Sequence, residues 1–214
     1  MGNIPTRDRA IAMLDEAERL NPGPWVQHSR YVGEAAALIA GQCDGMDAEK
    51  AYVLGLLHDI GRRVGKTNMR HILDGYTYAM ENGFEAVGKI CITHSFPTGD
   101  TQEAFGVWDC SEQEFVFVQE FLRSTEYDDY DRLMQLCDAV ALPEGFVLME
   151  KRMVDVALRH GTHAHIVGKW KATFQIKDAF EARMGRTIYS LFPHVVENTF
   201  GMSQGDDFST SLSD

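Results

Sequence analysis

Basic residues are scarce in this chain. Of its 214 residues, 20 are Lys or Arg and 32 are Asp or Glu, a formal net charge of −12. A surface with that balance repels a phosphate backbone unless a local basic patch intervenes. The densest basic run is Arg62-Arg63 with Lys66, so no nucleic-acid partner is expected. Cysteine is sparse too: Cys43, Cys91, Cys110 and Cys137 form no C-x-x-C pair. Cys91 and Cys137 fall inside apolar helical patterns and read as buried thiols, and a reducing cytoplasm is the simplest compartment. No apolar run approaches the ~18 residues that span a bilayer, and the first residues lack a basic-then-apolar signal segment. No membrane partner is therefore expected. No solenoid-length period repeats.

What is present is ordinary globular composition, 44% apolar and 24% charged, which excludes disorder over most of the chain. The length suffices for one sizeable core. A single domain over residues 1–200 is expected, followed by a loose Ser/Gly/Asp-rich tail at 201–214. The hydrophobic pattern is helical nearly throughout, and the expected fold class is all-α. Thr6 can cap a helix to Leu20, stopped by Asn21-Pro22-Gly23, and Pro24 opens a second to about Gln42. Asp47 can cap a third, Ala48 to Ile60, ending at Gly61. Further helices are expected over Arg70–Glu81 and Phe84–His94. Ser111-x-x-Glu114 is a capping box for a helix through Leu122. Asp129–Leu142 is the next, then Glu144–Arg159, Gly168–Met184 and Ile188–Glu197.

The chemistry concentrates at Leu56-Leu57-His58-Asp59-Ile60-Gly61, where a histidine and an aspartate end a nearly continuous apolar run. A helix this apolar is buried on most sides, and an ionised carboxylate buried without a partner is very costly. Asp59 therefore needs a cation nearby, and neutral imidazole is the commonest metal ligand. A divalent metal satisfies both residues; a simple core His–Asp hydrogen bond is the competing reading of the dipeptide. His28 shares a helical stripe with Val32, Ala35 and Ile39. His94 ends the apolar segment Ile90-Cys91-Ile92-Thr93. Asp138 shares a face with Met134 and Ala141, with no basic partner inside its own helix. One metal centre explains these polar groups on apolar faces more economically than separate accidents. The cluster His160-Gly161-Thr162-His163-Ala164-His165 reads instead as an exposed loop, because residues two apart face opposite ways on a helix.

The order His28, His58-Asp59, Asp138 resembles the HD-domain superfamily of metal-dependent phosphohydrolases, whose pattern is H…HD…D on a helical bundle. The resemblance runs from about Pro24 to Leu142. It also fits a binuclear branch with two further histidines between HD and the last Asp, here His71 and His94. It implies one metal held by His28, His58 and Asp138, a second by His71 and His94, and Asp59 bridging. His71 can alternatively be an exposed first-turn histidine. Four imidazoles and two carboxylates suit two divalent or mixed-valent transition ions, iron or manganese first, with cobalt, nickel or zinc as alternatives. They do not favour an all-oxygen magnesium site.

The resemblance implies an enzyme that hydrolyses a small phosphate ester or nucleotide with a metal-bridged hydroxide. Arg62, three positions after Asp59, stands where several family members carry a phosphate-holding cation, and Lys66 lies four positions further on; these cations can equally complement the helix C-terminal dipole. A second implied chemistry is oxidative. Some HD-domain proteins hold a mixed-valent di-iron centre with the same six ligands and cleave C–C or C–P bonds with oxygen, although Thr98 stands where that branch often has a lysine. A non-catalytic nucleotide sensor is the third reading, and the intact ligand set speaks against it.

Overall fold

Local chemistry starts most helices where the sequence pattern places them. In the computed structural model, which describes residues 2–202, the Thr6 hydroxyl accepts from the Arg9 amide and opens α1 (Arg7–Leu20). Pro24 sits in the first turn of α2 (Pro24–Ala40), where its missing N–H leaves no bond unmade. The Asp47 carboxylate accepts from the Glu49 and Lys50 amides at the head of α3 (Ala48–Leu57). Next come α4 (Arg70–Glu81) and α5 (Glu85–Thr93). The Ser111/Glu114 capping box forms at α6 (Glu112–Ser124), and Asp128 with Asp131 builds another at α7 (Asp129–Asp138). A small antiparallel hairpin, β1 (Ala141–Leu142) and β2 (Gly145–Phe146), pairs Ala141 with Phe146 and Leu142 with Gly145. The chain then continues through α8 (Met149–His160), α9 (Ile166–Met184) and α10 (Val195–Phe200). The fold is all-α apart from that hairpin among the described residues, and no helix among them is long and apolar enough to cross a membrane.

Four boundaries differ from the pattern. α3 ends at Leu57 rather than Ile60, and a 3₁₀ turn spans Ile60–Val64. α7 ends at Asp138 rather than Leu142, because the Val147 amide bonds the Val140 carbonyl at 2.9 Å and draws this backbone into the hairpin. Pro143-Glu144 make the hairpin turn, so α8 begins only at Met149. The expected helix over Ile188–Glu197 is a 3₁₀ turn at Ile188–Leu191 and then α10, divided at Pro193-His194, where His194 takes a left-handed φ of 57°. Apolar periodicity reports burial, which these irregular segments share with a helix. The expected tail lies outside the described residues after Met202.

The core sits around the crossing of α2 and α3. A Cβ on Gly55 would lie 2.8 Å from the Gly33 Cα, so two glycines permit the helices to touch backbone to backbone. Ala35, Ala36, Ile39, Leu54, Leu56 and Leu57 are fully buried around this crossing, each large side chain contributing about 1.5–3 kcal/mol of transfer free energy. The same core takes in Leu133 and Met134 of α7, Phe180 of α9, and Ile188 and Phe192. A second apolar cluster, with Ile72, Ile92, Phe96, Val118 and Leu122, lies beneath α6. Packed this way, α3, α5 and α7 direct their C-terminal ends toward His28 on α2.

Candidate metal centre

His58 and Asp59 occupy the break between α3 and the 3₁₀ turn. Gly61 fixes the path of the chain beyond them, because a Cβ there would overlap the His71 carbonyl oxygen and the Gly75 nitrogen. This close approach folds α4 back against the turn, so the short segment after Asp59 is long enough to return His71 to the same place. The Asn21 side chain donates to the Arg62 carbonyl at 2.6 Å and pins the turn to the end of α1. On the other side, the Thr93 hydroxyl donates to buried Asp131 at 2.7 Å, and Gln135 Nε2 donates to the Thr93 carbonyl at 3.0 Å. These bonds lock the end of α5, where His94 stands, against α7.

The four imidazoles form a chain in the order His28, His58, His94, His71. Ring centroids are 5.2 Å apart for His28–His58, 5.0 Å for His58–His94 and 5.8 Å for His71–His94. Each ring turns its Nδ1 to a backbone carbonyl: His28 to Ala141 at 3.2 Å, His58 to Gly55 at 2.7 Å, His71 to Asn68 at 2.5 Å and His94 to Ile90 at 3.0 Å. A ring that donates Nδ1–H presents its Nε2 lone pair on the opposite side. All four Nε2 atoms face the two carboxylates. His28 Nε2 lies 2.9 Å from Asp138 Oδ1; from Asp59, His71 Nε2 is 3.3 Å and the Nε2 atoms of His58 and His94 are 3.8 Å.

The electrostatics set the protonation that a metal needs. Burial pushes His71 down to about 3, with Arg62 adding to the effect, and His94 down to about 4, with His58 adding. Burial also lowers His28. Burial opposes ionisation of Asp59, but Arg62 and the surrounding imidazoles hold its carboxyl well below the ordinary range. Burial likewise opposes Asp138, but the hydrogen bond with His28 and the Arg152 charge hold that carboxyl low. Neutral imidazoles beside ionised carboxylates are the donor forms a transition ion takes.

Both carboxylates have cationic partners, which corrects part of the sequence argument. Arg62 Nε donates to Asp59 Oδ2 at 2.5 Å, and Arg152 of α8 reaches Asp138 Oδ1 at 3.4 Å. Carboxylate pairing alone therefore does not require a metal. The imidazole nitrogens make the stronger case. His58 Nε2 and Asp59 Oδ1 are buried with no hydrogen-bond partner, an expensive arrangement for a protein interior. His28 faces acceptors from both ring nitrogens, and a neutral imidazole has one N–H to give. A cation between Nε2 and Asp138 resolves that conflict. The residues present fit a metal: two overlapping sets, His28–His58–Asp138 and His58–Asp59–His94, each gather their donor atoms within 4.8 Å. His71 stands beside the second set through Asp59.

The sequence-nominated cations divide. Arg62 is at the centre, while Lys66 is exposed on the following turn and no interaction ties it to the cluster. His160, His163 and His165 do not converge on the centre; His163 packs its ring on Phe105 at 5.4 Å. Sequence reasoning missed Arg152 and Lys169, which reach the site from α8 and α9. The one signal for Arg152 was Asp138 itself, a carboxylate with no cation in its own helix and so in need of one from elsewhere; Lys169 had none.

The HD domain family model matches residues 25–142, more than half of the chain, and the chain belongs to that family. The match begins just before His28 and ends just after Asp138. No curated protein and no solved structure matches the chain.

Proposed function

We propose that the chain is a metal-dependent phosphohydrolase acting on a small phosphate ester or nucleotide. His28, His58 and Asp138 hold one transition ion, His71 and His94 hold another, and Asp59 joins the two. The observation that supports this reading most is the inward set of four Nε2 atoms, each aimed by a carbonyl bond at Nδ1. Two such ions supply an acidified water as nucleophile and neutralise charge on the phosphoryl oxygens. The chain's own residues do the rest. The carbonyl bonds keep the imidazoles in one tautomer and orientation. Arg62, whose side chain is 31% exposed, can reach outward from Asp59 and hold a phosphoryl oxygen. Lys66, exposed just past that turn, adds positive potential. Iron or manganese suits this nitrogen and oxygen donor set, which contains no thiolate.

The test is elemental analysis of the purified protein, followed by a phosphate-ester panel with and without added Mn or Fe. Metal-dependent phosphate release is expected, and Asp59→Ala abolishes it. Oxygen consumption by the iron-loaded protein, with no phosphate released from the ester panel, would assign the same ligands to oxidative cleavage of a C–C or C–P bond. Full activity of Asp59→Ala would refute both.

A further inference from the structure

The helices after the family match reach back over the metal centre with positive charge. Arg152 Nε donates to the Asp138 carbonyl at 3.3 Å, and its Nη2 reaches the Asp138 carboxylate at 3.4 Å. Lys169, in the first turns of α9, donates Nζ–H to the Ser95 carbonyl at 2.8 Å and the Glu103 carbonyl at 3.4 Å. Ser95 directly follows His94. The Phe105 ring covers the ammonium, its centroid 4.9 Å away.

These two cations differ in one respect. Arg152 has carboxylate partners in Asp138 and Asp155. Lys169 is half-buried and has no carboxylate within ion-pair distance among the described residues; Glu103 and Asp138 act on it only at longer range, against Arg152. Burial, partly offset by those two carboxylates, leaves its ammonium at about 8. A cation withdrawn from water without a counter-charge is unfavourable, and in a chain of net charge −12 its placement here calls for an anion. The accessible end of the centre lies on the same side: the Asp138 side chain is 30% exposed, against 5% for Asp59.

We propose that Arg152 and Lys169 form an oxyanion subsite at the Asp138 end of the centre, and that the substrate carries a phosphate there in addition to the group the metals take. This deepens the phosphohydrolase reading and rests on it for the identity of the neighbouring centre. Lys169 is then a substrate-binding residue supplied from outside the family match. Arg152 has two duties, turning from Asp138 toward the phosphate as that charge arrives.

Inorganic phosphate is the probe. Its binding is measured by titration calorimetry on chelator-treated and Mn-loaded protein, with helicity and metal content recorded for each variant. Wild type is expected to bind phosphate in both forms. Lys169→Met is expected to weaken binding about tenfold or more, the loss of a charge-assisted bond, while Lys169→Arg restores most of it and Mn content stays unchanged in both. Arg152→Gln is expected to weaken binding as well. Wild-type-like binding in a folded Lys169→Met, or no binding by wild type, overturns the proposal. Lys169-dependent phosphate binding in a protein that takes up no Mn would sustain the subsite and overturn the metal reading alone.

Discussion

Asp59→Asn keeps the shape of the central carboxylate and removes its charge. In metal-free protein, Asp59 accepts from Arg62 Nε at 2.5 Å while 5% exposed, and Arg62 is 31% exposed. Breaking a fully buried pair costs about 3–5 kcal/mol. Because Arg62 can rehydrate, about 1–2 kcal/mol is expected here. In a chain of this size 1 kcal/mol moves Tm by about 2–4 °C, so the chelated variant should melt about 2–8 °C below wild type. The folded carboxyl lies well below its ordinary range. Its stabilisation is therefore present above the unfolded pKa and lost as pH falls through the folded one, and the variant's deficit is largest near neutral pH and shrinks in acid. Metal adds a second difference. At free Mn about 100 times its Kd, wild type gains about 2.7 kcal/mol per site, a rise of about 5–11 °C. Most of that rise should vanish in Asp59→Asn. Scanning calorimetry with chelator and with Mn reads both terms. An undiminished Mn-dependent rise refutes the joining role of Asp59, and an unchanged Tm in chelator refutes the pairing with Arg62.

Gly61→Ala drives a Cβ into the His71 carbonyl and Gly75 backbone and should cost about 1–3 kcal/mol or more in urea unfolding; Gly168→Ala, with nothing near its Cβ, should instead stabilise by about 0.5–1 kcal/mol. Ser111→Ala removes the hydroxyl's bonds with the Glu114 amide and carboxylate in the α6 capping box, leaving the backbone amide of residue 111 on Glu114, and should lower stability by about 1 kcal/mol. Glu103 is 2% exposed and burial pushes its carboxyl up to about 7, so it destabilises progressively as pH rises from its unfolded value toward 7. The urea midpoint of Glu103→Gln should therefore fall less than that of wild type between pH 5 and about 8, and parallel curves would contradict the assignment.

The helices and the inward histidines were legible because their causes are local. A threonine, an aspartate or a serine at a cap acts within one turn, and His28 or His94 on an apolar stripe states its own direction. The return of His71 came only from the resemblance to the binuclear branch, because in the structure it depends on Gly61 meeting a backbone that belongs to the next helix. The break after Leu57 was hidden for a related reason: Ile60 is as buried as the helical leucines before it, and apolarity does not distinguish a 3₁₀ turn from a helix. Arg152 and Lys169 stand on helices whose sequence shows no motif, and their meaning arises only where their side chains reach Asp138 at the end of α7 and Ser95 beyond the end of α5. Their absence from the sequence reading made Asp138 look unpaired when it has a partner fourteen positions away.

Anomalous diffraction from crystals grown with Mn or Fe locates any ions among the four imidazoles. Two peaks per chain are expected, one bounded by His28, His58 and Asp138 and the other by Asp59, His71 and His94, each in contact with Nε2 atoms. A well-ordered map with those imidazoles in place and no anomalous density among them, even after prolonged soaking, would contradict this expectation.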